Sequence, residues 1–232
     1  MVQISTIAAD RALPEKVRER RREILAAAGR VFRRRGLHAS GMRDVAAELE
    51  MTAGSLYYYF PSKQALLAYC QEDALDGLLA TVGRIERLGL DADTALASAV
   101  VTHVVRLHET TPGSLAHLEV EALDEPHRQP ILSRRNAYER ALRRLVVAGI
   151  DTGRFRSGLD PRTAVRALLG AVNWTAKWFH PSAATAAAGG ARHLGFELAE
   201  LLVRGMLAPR RELRLPPPEL VDTLLREATD AE

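Results

Sequence analysis

The residues from Thr52 to Lys63 combine side chains that suit contact with a polyanion. They read TAGSLYYYFPSK, so small residues come first, three tyrosine hydroxyls follow, and a lysine closes the stretch. Small side chains let a backbone approach a nucleic-acid groove, and hydroxyl and ammonium groups bind phosphate oxygens. This mixture is unusual for a buried core and indicates a surface that contacts nucleic acid.

Two short helices must position these side chains. Apolar residues recur at helical spacing between Met42 and Leu49, with Ser40 as the expected cap, and a second helix is predicted near residues 53 to 59. Together they form the pattern of a helix-turn-helix, in which the second helix enters the major groove of DNA.

Each polar residue of this motif has an expected role on DNA. Ser55 is placed to reach a base edge or a phosphate, and Tyr57 and Tyr58 are placed to reach phosphates. Core packing is the alternative for the tyrosines, because one of three consecutive aromatic residues must face inward. The predicted DNA contacts are Arg43, Thr52, Ala53, Gly54, Ser55, Tyr57, Tyr58 and Lys63.

Basic residues are concentrated near the N-terminus. The formal net charge is +3, but residues 11 to 43 hold eleven Lys or Arg against three Glu, so this part carries +8 and the remainder −5. A cationic N-terminal part suits a polyanion, with a solvated helix face as the alternative. No apolar run approaches the roughly 18 to 20 residues of a membrane span, and no signal-peptide pattern is present, so the cytoplasm is the expected location.

Helical spacing continues along the rest of the chain, with no strand-like alternation of useful length. The expected fold is therefore all-α, with about nine helices. Asp160-Pro161 marks one helix start, and Asp93 or Thr94 is expected to cap another. The predicted organisation is a flexible tail at 1–13, a three-helix helix-turn-helix head at 14–61, a ligand-binding and dimerisation body at 62–208, and a Pro/Arg-rich extension at 209–232 whose role is open. Within the body, a break is expected at 111–113, followed by a short helix near 114–122.

The segment from Ile24 to Leu67, ILAAAGRVFRRRGLHASGMRDVAAELEMTAGSLYYYFPSKQALL, resembles the DNA-binding region of the TetR family of transcriptional regulators. The resemblance implies a homodimer with a three-helix DNA head and a variable body whose last two helices form the interface. Two residues depart from the family pattern. Glu50 stands where the turn usually holds glycine, which strains the backbone if φ is positive there, and Tyr59 replaces a common histidine.

A second resemblance lies in NWTAKWFHP, residues 173 to 181. It is similar to a Trp-rich box in the branch of this family that responds to acyl-CoA thioesters and regulates fatty-acid or steroid degradation. Trp174 and Trp178 share one helix face, and an apolar wall beside Lys177 suits an acyl chain and phosphates. The alternative is that the tryptophans pack the core or the dimer interface. The proposed ligand contacts are His103, Asn173, Trp174, Lys177 and Trp178.

No motif typical of catalysis or metal binding accompanies these segments. The histidines at 103, 108, 117 and 127 are interpreted as scattered surface or pocket residues, and Cys70, the single cysteine, is expected in the core. The chain is therefore predicted to be a dimeric repressor without cofactor or enzymatic activity, which leaves its double-stranded DNA operator when an acyl-CoA binds the body. A drug or steroid is the alternative effector, and a DNA-binding adaptor that holds another protein is the alternative class.

Overall fold

The computed structural model describes residues 13–110, 120–180, 182, 185, 187, 189–209 and 211–226. Within these ranges the chain is all-α, as predicted, and forms nine α-helices. The predicted break at 111–113, the first twelve residues and most of the short helix expected near 114–122 lie outside the described residues. The helices are α1 (Glu15–Arg35), α2 (Met42–Glu48), α3 (Ala53–Tyr59), α4 (Lys63–Arg87), α5 (Ala92–Val105), α6 (Glu125–Asp151), α7 (Pro161–Trp178), α8 (Gly190–Arg204) and α9 (Pro218–Arg226).

The chain forms two compact units. The first comprises residues 1–76 and 110–135, and the second comprises residues 77–109 and 136–232. Each has its own hydrophobic core, so that Leu56 and Phe60 lie in the core of the first unit and Val104 lies in the core of the second. The helix-turn-helix belongs to the first unit.

Capping interactions set the bounds of the helix-turn-helix. Thr52 is the N-cap of α3, and its hydroxyl accepts an amide of the first turn at 3.1 Å. The predicted serine cap of α2 is wrong, because Gly41 is the N-cap and its amide donates to the Asp44 carboxylate at 2.8 Å. Ser40 instead donates its hydroxyl to the carbonyl of Gly36 at 2.6 Å, so it stabilises the loop that follows α1.

Glu50 ends α2 in the left-handed region of backbone space. Its φ is 53°, and no other described non-glycine residue has a positive φ. The Glu50 amide donates to the carbonyl of Ala47 at 3.2 Å, and the Met51 amide donates to the carbonyl of Ala46 at 3.0 Å. This pair of bonds is the Schellman motif, in which the left-handed position favours glycine. The Glu50 side chain therefore strains the backbone at this left-handed position.

The recognition helix α3 is held by its apolar side and by one arginine. Leu56 and Phe60 are fully buried. The Arg21 guanidinium of α1 lies over the Phe60 ring, with Cζ 5.1 Å from the ring centroid, and donates to the Tyr59 carbonyl at 3.2 Å. This arginine therefore stabilises the C-terminal end of α3.

Helix α5 is the centre of the second unit. Every residue from Ala95 to Val105 is buried, as expected for a helix that is covered on all sides. Helix α8 packs closely on it because Gly195 has no side chain: a Cβ there would lie 3.1 Å from the Val101 Cα. Helix α7 begins at Pro161 as predicted, and the Asp160 carboxylate caps it by accepting a first-turn amide at 2.8 Å.

The N-terminus of α5 differs from the prediction. The helix begins at Ala92, and neither Asp93 nor Thr94 is its cap. The fully buried Asp93 carboxylate accepts hydrogen bonds from the Arg154 side chain at 2.6 Å and from the Arg214 amide at 2.7 Å. Burial raises the pKa of Asp93, but these bonds outweigh burial, so the pKa lies below its ordinary value. Both partners lie far along the chain, so local spacing could not reveal them.

Residues 211–226, termed the C-terminal segment below, pack on the second unit. The Arg214 carbonyl accepts a hydrogen bond from Thr94 at 3.1 Å, and the Glu212 carbonyl accepts one from Arg154 at 2.6 Å. Helix α9 then buries Val221 and Leu224 in the core of this unit. The part of the extension that the structure describes is therefore an element of the second unit.

Helix α5 continues into a π-helical turn, Arg106–Thr110. Two adjacent residues of this turn reach different helices: His108 Nε2 lies 2.8 Å from the Thr175 hydroxyl of α7, and the Glu109 carboxylate accepts the Ala191 amide of α8 at 2.9 Å. The hydroxyl proton of Thr175 goes to a carbonyl of its own helix, so the His108 ring donates in this pair. The turn thus connects α5 to both α7 and α8.

Candidate nucleic-acid interface

Helix α3 has one buried side chain and a broad exposed face. Leu56 is the buried residue, whereas Tyr57 and Tyr58 keep 48% and 79% of their surface exposed. A face so exposed does not serve the core, and it is free to bind a partner. The small residues of the motif share this surface: Thr52, Gly54 and Ser55 are exposed, and Ala53 is half-buried.

Hydroxyl groups dominate the exposed face of α3. The Thr52 and Ser55 hydroxyl oxygens lie 2.8 Å apart at the start of the helix. Tyr59 is the half-buried member of the tyrosine triplet and packs against the core of the first unit. Its ring meets the Tyr58 ring edge to face, with centroids 5.1 Å apart, which supports the outward position of Tyr58. The face therefore offers donors and acceptors at both ends of the helix.

Lys63 and Arg43 have different surroundings. The Lys63 ammonium donates to the carbonyls of Leu37 and Ser40, each at 2.6 Å. An ammonium has three donors, so two stabilise the loop before α2 and one is left for an anion. Arg43 is exposed near the start of α2.

Three arginines of the basic N-terminal part bind acids of α2. Arg30 and Arg34 each reach the Glu48 carboxylate at 2.8 Å, and Arg35 pairs with Asp44. Hydrogen bonds from Arg30 and Arg34 lower the pKa of Glu48. These ion pairs connect α1 to α2, so the count of basic residues overstates the positive charge available to DNA.

The five predicted ligand contacts occupy two environments. His103 is 2% exposed inside the second unit, with Nδ1 3.1 Å from a tyrosine hydroxyl of α6. Trp174 and Trp178 are 64% and 50% exposed on α7, and Lys177 is exposed beside them. Asn173 is half-buried, and no described group donates to its shielded Oδ1. The α7 residues therefore form a surface, while His103 belongs to the core.

A cavity of about 510 Å³ lies in the second unit, at a place that the sequence did not indicate. Its wall comes from the end of α4, the start of α5, the end of α6 and the C-terminal segment, and it includes none of the predicted ligand contacts. Sequence reasoning missed it because its arginines come from separate parts of the chain. They are Arg144, Arg154, Arg211 and Arg214.

The remaining features considered from the sequence are the single cysteine, metal-binding clusters and membrane-spanning helices. Cys70 is buried, as expected, and burial raises the pKa of its thiol. Among the described residues, no cluster of three His, Cys, Asp or Glu side chains has the arrangement of a metal site. None of the helices in the described ranges is both long and apolar enough to cross a membrane.

Comparison with protein families agrees with this geometry. Residues 24–70 match the model of bacterial regulatory proteins of the tetR family, and residues 89–205 match the tetracyclin repressor-like C-terminal domain. The chain belongs to the TetR family of transcriptional regulators. The first match contains α2, the turn and α3, so these helices form the helix-turn-helix of the family.

Relatives of this TetR regulator extend over most of its length. It is 32% identical to the HTH-type transcriptional repressor KstR2 of Rhodococcus jostii over 164 residues, which cover 70% of this chain and 80% of KstR2. PfmR from Thermus thermophilus, a solved TetR family regulator, superposes with a TM-score of 0.70 at 28% identity, covering 78% of this chain and 97% of PfmR. AibR in complex with isovaleryl coenzyme A and operator DNA superposes with a TM-score of 0.66 at 24% identity, covering 81% and 98%, which shows a shared fold.

Family membership settles the class of function. TetR regulators bind operator DNA, act as dimers and respond to small molecules, so this chain is a DNA-binding regulator and not an enzyme. The helix-turn-helix motif, recognised from the residues between Ile24 and Leu67, is therefore confirmed.

Proposed function

We propose that this protein is a dimeric repressor that binds a roughly palindromic operator and leaves it when an acyl-CoA binds the body. The exposed hydroxyl-bearing face of α3 is the observation that carries the DNA-binding part. The repressor role is supported by the relation to KstR2, which is named as a repressor. Two copies of α3 would enter successive major grooves.

The contacts to DNA divide into two kinds. Thr52 and Ser55 stand at the start of α3, where recognition helices reach base edges, and Ala53 and Gly54 keep the approach open. The exposed hydroxyls of Tyr57 and Tyr58 bind phosphates. Arg43 binds the backbone from α2, and the remaining donor of Lys63 adds a phosphate contact at the start of α4.

The dimer interface is proposed on α7 and α8. Leu201 of α8 is 71% exposed, which is a large apolar side chain for one chain to leave in water. Gly170 and Ala167 are exposed on α7 one and two turns before Trp174, so small residues let another helix approach this part of α7 closely. Two copies of α7 and α8 would form a four-helix interface that covers these residues and leaves the end of α7 to the effector.

An acyl-CoA is proposed as the effector because of the residues at the end of α7. Trp174 and Trp178 supply an apolar surface, Lys177 supplies a cation for a phosphate, and Asn173 carries a shielded oxygen that no described group donates to. AibR has the same fold, and its structure contains both isovaleryl coenzyme A and operator DNA, so the fold can bind an acyl-CoA as well as DNA. A drug or steroid is the second candidate, favoured by the related structure described as ketosteroid transcriptional regulator KstR2 of Mycobacterium tuberculosis.

The DNA contacts can be tested with duplexes selected from a randomised pool by the full-length protein. Arg43→Ala should weaken binding to the selected duplex and reduce the slope of log affinity against log salt by about 1 per site, because one phosphate contact is lost. Tyr58→Phe removes only the hydroxyl and should also weaken binding. Arg140→Ala, which removes an exposed arginine of α6, is the matched control. Unchanged affinity of both head variants across several salt concentrations would refute the assignment.

The effector can be tested on the same complex. Palmitoyl-CoA, palmitate and coenzyme A are titrated separately against protein bound to the selected duplex, with fluorescence anisotropy of the DNA as the signal. Release by palmitoyl-CoA but not by coenzyme A supports the proposal, and loss of that release in Trp178→Ala would locate the site. Release by none of the three compounds rejects an acyl-CoA effector and leaves the DNA-binding role intact.

A further inference from the structure

The cavity in the second unit has the composition of a site for a small organic anion. Its volume of about 510 Å³ is typical of small-molecule pockets. Four arginines stand in the wall against two carboxylates, and Asp93, which does not line the cavity, pairs with Arg154, so one positive charge is left in excess. The carboxylates are Glu86 and Asp91, and the apolar wall residues are Ile85, Leu90, Ala92, Ala95, Leu145 and Ala148.

The two carboxylates do not neutralise all four arginines. Glu86 receives two hydrogen bonds from Arg144, at 2.8 and 3.2 Å, and Asp91 pairs with Arg214. The exposed Arg211 side chain forms no hydrogen bond or ion pair with another described residue. An anion that enters the cavity therefore meets a guanidinium with its fork of donors available.

Arg154 is held in the wall by other residues. Its side chain is only 13% exposed, and one terminal nitrogen binds the buried Asp93 carboxylate and the Glu212 carbonyl, each at 2.6 Å. The charge of Arg154 is therefore already paired, and of the four wall arginines Arg211 offers its guanidinium to a ligand.

We propose that this cavity binds an amphipathic organic anion. Its carboxylate or phosphate group is held by Arg211, and its apolar part rests on the leucine and alanine wall. The site is separate from the effector contacts proposed on α7, since none of those residues lines it. Arg211 and Arg214 belong to the C-terminal segment, so binding requires this segment to be docked and stabilises it in that position.

Isothermal titration of the full-length protein tests the site with octanoate, octyl phosphate, inorganic phosphate and 1-octanol. At least one of the two amphipathic anions should bind more tightly than inorganic phosphate and 1-octanol, because it uses both Arg211 and the apolar wall. The stronger of the two identifies the head group. Arg211→Ala should weaken this binding roughly tenfold, as expected for one charge-assisted contact. Arg140→Ala should leave it unchanged.

A second variant separates charge from folding. Ala148→Glu places a carboxylate in the exposed part of the wall on α6 without removing an arginine, and it should abolish binding of the anion while circular dichroism shows an intact fold. The proposal is overturned if neither amphipathic anion binds, if 1-octanol binds equally well, or if Arg211→Ala and Ala148→Glu both retain full affinity.

Discussion

Replacing Asp93 by asparagine should destabilise the second unit, because this carboxylate is fully buried and holds two partners. It accepts bonds from Arg154 and from the Arg214 amide, which lie 61 and 121 residues further along the chain. Removing the charge leaves the Arg154 cation mostly buried without its counter-ion. Truncating one member of a fully buried pair costs roughly 3 to 5 kcal/mol, and because Arg154 keeps some exposure and asparagine keeps an acceptor, we expect about 2 kcal/mol.

Asp91→Asn is the matched control on the same end of α5. The Asp91 carboxylate also pairs with an arginine, Arg214, but their side chains are 55% and 63% exposed. An exposed ion pair contributes only about 0 to 1 kcal/mol, so this variant should lose less than half as much stability as Asp93→Asn. The comparison therefore isolates the effect of burial.

The difference between wild type and Asp93→Asn should also depend on pH. The folded-state pKa of Asp93 lies below its ordinary value, so its contribution to stability is complete above the unfolded pKa of about 3.9 and is lost as the pH falls through the folded pKa. The difference should therefore be constant between neutral pH and about pH 5 and should shrink in stronger acid.

The assay is urea unfolding followed by circular dichroism at one fixed protein concentration, because dimerisation couples stability to concentration. Limited trypsin digestion adds a second measurement: Asp93→Asn should speed cleavage after Arg211 and Arg214, since the Arg214 amide loses its charged acceptor. A loss of stability no greater than that of Asp91→Asn, with unchanged cleavage, would refute the role given to Asp93.

Three further predictions concern the backbone and the thiol. Glu50→Gly should stabilise the first unit by about 0.5 to 1 kcal/mol in thermal unfolding, because it removes left-handed strain at φ 53°, whereas Glu50→Ala should give no gain; equal effects would contradict this. Gly149→Ala should destabilise by about 1 to 3 kcal/mol, because a Cβ would lie 2.2 Å from the Phe155 ring, and Phe155→Leu in the same chain should restore part of the loss. Cys70, buried with a raised pKa, should react with a thiol reagent only as fast as the protein unfolds; rapid reaction of the native protein would show that the thiol is accessible.

The sequence predicted elements whose signals are local. Helix α3 was expected near residues 53 to 59 and spans Ala53–Tyr59, with Thr52 as its cap. Asp160 and Pro161 start α7 for the same reason, since a capping carboxylate and a first-position proline act within one turn. The conditional expectation about Glu50 is also confirmed, because the φ of a turn residue depends on its immediate neighbours.

Predictions from local residue preference were less informative where a side chain binds a partner that the sequence pattern does not include. Ser40 has the side chain of a cap, but its hydroxyl binds the Gly36 carbonyl and leaves the cap to Gly41. Arg30 and Arg34 count as positive charge in the sequence, yet both bind Glu48. In each case the side chain was suited to the role that the sequence suggested, but in the folded chain it binds a different partner.

The sequence by itself determined the all-α fold, the TetR family and the recognition helix, because helix periods, caps and the residues between Ile24 and Leu67 act over short distances along the chain. Only the tertiary structure decided that Asp93 is buried, that the C-terminal segment completes the second unit, and that arginines from α6 and this segment share one cavity. These features depend on contacts between residues many tens of positions apart, and no local spacing records such contacts.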